Sequence, residues 1–109
     1  MKLLIAGSRS ITDFDLTPYI PQDVELIISG GADGIDTLAE NYADKYKISK
    51  LILRPNYSRY KRSAPLKRNE EMVDISDSVL VVWDGKSKGT SHTVRYAKKN
   101  KKNLQMIIL

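Results

Sequence analysis

The sequence predicts a single open α/β domain built on a parallel five-stranded sheet. Three observations lead there. Short apolar runs lack the apolar–polar alternation of half-exposed strands, as central parallel strands do. Segments of helical spacing fall between them. Three polar loops, Gly7-Ser8-Arg9, Gly30-Gly31-Ala32-Asp33-Gly34 and Asp84-Gly85-Lys86-Ser87-Lys88-Gly89-Thr90, each end a run and open a helix-like segment. In a parallel sheet such turns share the carboxyl edge, so distant loops converge on one crevice.

Lys2–Ala6 reads as the first strand. Asp13–Ile20 reads as a short helix or helical turn, disturbed by Pro18 and closed by Pro21. Val24–Ile28 is the second strand. Asp33–Lys47 is the clearest helix, because Ile35, Leu38, Ala39, Tyr42, Ala43 and Tyr46 recur on one face. Lys50–Arg54 is the third strand, stopped by Pro55. Residues 55–64 form a long loop carrying Tyr57, Arg59, Tyr60, Lys61 and Arg62. A helix follows over Pro65–Ile75, with proline in its first turn, where a missing N–H is harmless. Ser78–Trp83 is the fourth strand, Thr90–Asn100 a helix and Leu104–Leu109 the fifth strand. Right-handed crossovers then favour the order 3-2-1-4-5, with the first and fourth strands side by side; 2-1-3-4-5 is the alternative.

The chain of 109 residues fits one domain spanning 1–109, and a 41% hydrophobic share supports a real core. With no cysteine there are no disulfides, thiolate metal ligands or cysteine nucleophile. No metal or cofactor is expected. No apolar run approaches the roughly 20 residues needed to cross a bilayer. Met1–Gly7 is too short for a signal peptide, and the expected compartment is the cytoplasm. Eighteen Lys and Arg against thirteen Asp and Glu leave a net +5, which suits an anionic partner.

The loops suggest which anion. Helix N-termini expose free N–H groups and partial positive charge, a ready phosphate site. Gly30 and Gly31 sit where a strand turns sharply, and Gly34 lets the next helix start close to the sheet. The spacing is not G-x-G-x-x-G, so dehydrogenase-type dinucleotide binding is not indicated. Ser8 adds a hydroxyl and Arg9 a planar fork of donors matched to phosphate oxygens. Ser87 and Thr90 add hydroxyls. Asp36 stands in a first helical turn, where capping and contact with a ligand hydroxyl are both open readings. His92, the one histidine, is a candidate acid or base, with a structural role as the alternative. Six basic residues and two tyrosines over Arg54–Arg68 would suit a nucleotide or single-stranded nucleic acid, or simply water.

Four ordered segments, Gly7-Ser8-Arg9, Ser29 to Asp36, Ala64 to Met72 and Asp84 to Thr90, resemble the YspA-like branch of the SLOG superfamily. The resemblance covers about residues 3–108. It implies a Rossmann-like three-layer fold that binds nucleotides or nucleotide-derived ligands. Relatives include the Lonely guy phosphoribohydrolases, DNA-processing protein A and sensor domains for ADP-ribose-type signals. It implies ligand contacts at Gly7, Ser8, Arg9, Ser29, Gly30, Gly31, Gly34, Asp36, Arg68, Asn69, Asp84, Gly85, Ser87, Gly89 and Thr90. The enzyme branch carries R-K-x-x-M and P-G-G-x-G-T-x-x-E motifs. Here Asn69 replaces the lysine, two residues are inserted before Gly89, and Thr93 stands where the catalytic glutamate would be. Glycosidic hydrolysis passes through a cationic sugar that a carboxylate must stabilise. The expectation is therefore a binding protein that senses or sequesters a nucleotide-derived signal, of ADP-ribose or cyclic nucleotide type. A phosphoribohydrolase or N-glycosidase using Asp36, Asp84 or His92 is the alternative, and a nucleic-acid module the third. The apolar run at 104–109 further predicts a homo-oligomer.

Overall fold

The computed structural model describes residues 1–109. Five parallel strands, β1 (Lys2–Gly7), β2 (Leu26–Ser29), β3 (Ser49–Ile52), β4 (Ser78–Trp83) and β5 (Asn103–Ile108), form one sheet in the order β3-β2-β1-β4-β5. The expected order is the observed one. β1 lies at the centre, with Leu4 opposite Ile28 on one side and Val79 on the other. Its neighbours turn the chain in opposite directions, so the carboxyl ends of β1 and β4 flank a switch point.

The absence of alternation in β1, β2 and β4 has a direct cause: both faces are covered. Leu3, Ile5, Ile27, Leu80 and Val82 point to one face and pack under helix α1 (Ile35–Lys45) through Ile35, Ala39 and Ala43. Leu4, Ala6, Ile28, Val79 and Val81 point to the other, against Met72 and Val73 of α3 (Ala64–Ile75) and Val94 and Ala97 of α4 (Lys88–Lys99). Leu4 and Ile5 are fully buried, so truncating either to alanine costs about 2–5 kcal/mol.

Several elements depart from their expected bounds. The helix expected over Asp13–Ile20 shrinks to a 3₁₀ turn at Thr17–Tyr19. Pro18 has no N–H for a longer helix, and the segment instead covers the sheet with Ile11, Leu16 and Ile20 and a Phe14–Tyr19 ring stack. The expected loop 55–64 holds a one-turn helix, α2 (Tyr57–Tyr60), capped by Asn56, whose Oδ1 accepts the Arg59 N–H. A 3₁₀ turn over Lys61–Ser63 leads into α3. β3 ends at Ile52 because Arg68, not another strand, takes the Leu53 carbonyl. Helix α4 begins at Lys88, two residues before the expected start. Both α1 and α4 end with a lysine at positive φ, Lys47 and Lys101, whose following N–H bonds back to Ala43 and Ala97. No helix is long and apolar enough to cross a membrane.

Candidate functional site

The carboxyl edge of the sheet opens into a crevice of about 420 Å³, within the size range of small-molecule sites. Gly7 and Arg9 from the β1 loop, Asp36 from α1, Arg68 and Asn69 from α3, and Asp84, Ser87, Gly89 and Thr90 from the β4–α4 loop line it. These nine residues were all legible as candidates in the sequence. Ala6, Ser10, Ala32, Pro65, Met72, Lys88 and Thr93 also line it. Ala6, Pro65 and Met72 give it apolar surface. Thr93 and Met72, marked in the sequence only through the resemblance, lie one helical turn beyond Thr90 and Arg68; Ser10 carried no signal.

Other expected contacts stand behind the wall and build it. Ser8 is fully buried and its hydroxyl accepts the Asp84 N–H at 2.9 Å and the Ser87 hydroxyl at 3.2 Å. Its carbonyl accepts the N–H groups of Ile11 and Ile35. One residue thus pins the β1 loop, the start of α1 and the β4–α4 loop together. A Cβ on Gly7 would strike the Val82 carbonyl and the Ile35 side chain, so glycine is needed for that approach. Gly34, at φ +75°, packs against the Ser8 and Arg9 carbonyls, where any side chain would collide. Ser29 faces away from the crevice, donating to Glu40 at 3.0 Å and accepting from the Gly31 N–H. Gly31 lies under Arg54, whose Nη1 donates to its carbonyl. Gly85 turns the β4–α4 loop at φ +80°, where a Cβ would make only an ordinary 3.8 Å contact with Ile108.

Gly30 does not adopt the positive φ expected of a turn glycine; Gly31 and Gly34 do. Its constraint is crowding. A Cβ there would lie 2.9 Å from both Arg68 Nη1 and Asp36 Oδ2. Those two side chains form the charged floor of the site. Arg68 is buried, and its Nη1 donates to the Gly30 carbonyl at 2.7 Å and the Leu53 carbonyl at 3.3 Å. Its Nε donates to Asn69 Oδ1 at 2.8 Å. Burial pushes its pKa down while Asp36 holds it up, and a guanidinium remains charged.

Asp36 is 7% exposed. Its Oδ2 accepts the Ala32 N–H at 3.1 Å, and its other oxygen has no protein donor. Burial raises its pKa above the ordinary aspartate value, against the Ala32 bond and the Arg68 charge. Asp84 is the opposite case. The Lys86 and Ser87 N–H groups, at 2.8 and 2.9 Å, hold its carboxyl well below the usual range. Ser10 and Ser87 hydroxyls add to them. It stays ionised and ties the loop, which leaves it unsuited to proton transfer.

His92 does not reach the crevice. Its Nε2 lies 2.9 Å from Glu70 on the neighbouring α3, so its place is a helix–helix contact. Asn69 spans the gap, donating to the Gly89 carbonyl. Thr93 is buried and donates to the same carbonyl at 3.2 Å.

Two sets of donors remain unspent. Arg9 is exposed at the mouth and its side chain has no protein partner. The first intrahelical bond of α4 comes from the Ser91 N–H, leaving those of Lys88, Gly89 and Thr90 free at a helix start without a side-chain cap. No three His, Asp or Glu side chains gather as a metal site would need.

The fold and crevice define a Rossmann-like α/β domain with its opening at the switch point. Over 56 residues the chain is 38% identical to the uncharacterized SPbeta prophage-derived protein YoqJ of Bacillus subtilis (strain 168). The match covers 51% of this chain and 30% of that protein, so the chain aligns with less than a third of that relative. No family model and no solved structure matches the chain.

Proposed function

We propose that this protein binds a nucleotide or nucleotide-derived phosphate ester in the crevice and acts by sensing or sequestering it. One observation carries the reading. Groups that favour an anion and a group that favours hydroxyl donors face the same hollow, and the protein satisfies neither. Phosphate fits the free amides of Lys88, Gly89 and Thr90, with Arg9 and the Lys88 ammonium at the mouth. Sugar hydroxyls fit the open oxygen of buried Asp36. Ala6, Pro65 and Met72 offer apolar surface to a ring. This reading agrees with the SLOG resemblance, and we place the chain in its YspA-like branch as part of the same proposal. Titration calorimetry with AMP, ADP-ribose and cyclic nucleotides tests it; no heat from any of them would sink it.

Phosphoribohydrolase or N-glycosidase activity is the second reading, and Asp36 favours it as a buried crevice carboxyl with a raised pKa. Against it, Thr93 brings no carboxylate to the crevice and Asp84 is fully engaged. Chromatography for free base after incubation with nucleoside monophosphates separates the two readings. A nucleic-acid role ranks third. The arginines of 54–68 border the carboxyl edge, whereas Lys98, Lys99, Lys101 and Lys102 sit at the far end of α4, so no single track joins them. Homo-oligomerisation through the β5 edge, where Met106, Ile108 and Leu109 are exposed, belongs to the same proposal, as does cytoplasmic residence. Light scattering tests the assembly, and a 12.3 kDa particle would refute it.

A further inference from the structure

The segment between β3 and α3 crosses the carboxyl edge beside the crevice, and its construction differs from the rest of the chain. Seven of its eight residues from Asn56 to Ser63 are exposed, Tyr60 alone being half-buried. Its hydrogen bonds close on themselves. Tyr60 N–H bonds to the Asn56 carbonyl, Arg59 N–H to the Asn56 side chain, and Ser63 hydroxyl to the Tyr60 carbonyl. The Lys61 N–H bonds to Tyr57, and the Ala64 N–H returns to Lys61. None reaches the sheet or α1.

The anchors lie just outside. Arg54 holds the Gly31 carbonyl before the segment, Arg68 holds the Leu53 carbonyl, and α3 fixes the other end. Between them sits Lys61 at φ +52° and ψ −126°. Lys61 closes the short helix α2 as its C-cap, and there a lysine holds a glycine-type conformation between two turns. The segment carries Arg59, Lys61 and Arg62 and no acid, and none of the three takes part in an ion pair. Tyr57 is 59% exposed.

We propose that residues 56–63 form a strap that folds over the occupied crevice and brings Arg59 and Arg62 to the ligand phosphate. A unit bonded only within itself can swing on its two anchors without breaking a bond to the sheet or α1. Three cations without a counter-charge, Arg59 resting over the Tyr60 ring at 5.1 Å, stand beside a crevice already lined by Arg9 and Lys88 and repel one another until an anion enters. The strained Lys61 dihedrals give the movement a pivot, and Tyr57 supplies a ring for the exposed side of the bound molecule. This inference rests on the nucleotide reading above.

The test uses the full chain with AMP and ADP-ribose as probes. Trypsin cleavage after Arg59, Lys61 and Arg62, followed by mass spectrometry, should slow several-fold with nucleotide, while cleavage after Lys98 and Lys99 keeps its rate. The double change Arg59→Ala with Arg62→Ala should weaken binding roughly tenfold, about the loss of one charge-assisted hydrogen bond. Lys98→Ala with Lys99→Ala, which removes the same net charge from the far edge, should leave it unchanged. Binding by calorimetry without strap protection, or equal losses in both double variants, would overturn the strap and leave the crevice reading standing. Absence of nucleotide binding would remove both.

Discussion

Replacing Arg68 by lysine separates two roles that one buried guanidinium can play. The structure commits three of its donor contacts to the protein: the Gly30 and Leu53 carbonyls and Asn69 Oδ1. These tie the β2 loop, the end of β3 and α3 together beneath the crevice. Lysine keeps the charge beside Asp36, but its one tetrahedral nitrogen cannot stand at both Nη1, which holds the two carbonyls, and Nε, which holds Asn69 Oδ1. Each hydrogen bond from a charged group is worth about 1.5–3 kcal/mol. Losing the Asn69 bond and weakening the two to the carbonyls, with partial relaxation and water entry, gives a destabilisation of about 2–4 kcal/mol. For a domain of this length that is a fall in Tm of roughly 8–15 °C. Urea unfolding and thermal melts of Arg68→Lys measure it directly. Nucleotide affinity of the folded fraction should fall less than stability does, because Arg9, Lys88 and the α4 amides remain. A variant of wild-type stability that no longer binds would refute the bracket and make Arg68 a ligand contact first.

Gly7→Ala should prevent stable folding, since its Cβ meets the Val82 carbonyl and Ile35, whereas Gly85→Ala, free of any clash, should cost only about 1–2 kcal/mol for its positive φ; equal losses in denaturant melts would contradict the packing argument. Asp36 has a pKa raised by burial, so its ionisation opposes folding. That penalty is absent below the ordinary aspartate value, about pH 4, and grows as pH rises through the raised pKa. Asp36→Asn should therefore match the wild type at low pH and equal or exceed its stability at neutral pH, while weakening nucleotide binding. A variant less stable at pH 7 than at pH 3, relative to wild type, would reverse the sign. Arg9→Ala should weaken binding roughly tenfold without moving Tm, and the residual affinity should depend less on salt; an unchanged affinity by calorimetry would remove Arg9 from the site.

What the sequence disclosed follows from which signals are local. The strands were legible because burial on two faces writes an unbroken apolar run, as in Val79–Val82. The strand order followed from crossover handedness and the polar loops. Element ends were less legible where a distant group decides them. β3 stops at Ile52 because Arg68, fifteen residues beyond Leu53, takes the next carbonyl. The first crossover lost its helix because Ile11, Leu16 and Ile20 could cover the sheet without one. Polar loop residues announced a crevice at the carboxyl edge but not which of them face it. Ser8 and Ser29 carry hydroxyls of the expected type, yet Ser8 spends its own on the β4–α4 loop and Ser29 on Glu40 of α1. Gly30 owes its identity to two side chains from α1 and α3, a crowding that no local pattern records. His92 lay one turn into α4, and only the packing of α3 beside it directs its ring to Glu70.

Amide chemical-shift mapping tests the central claim most directly, because it reports binding and location together. Titrating AMP or ADP-ribose into the ¹⁵N-labelled protein should move the resonances of Arg9, Asp36, Gly89 and Thr90, with those of Lys98–Lys102 still. Shifts absent throughout, or gathered at the far end of α4, would contradict nucleotide recognition at this crevice.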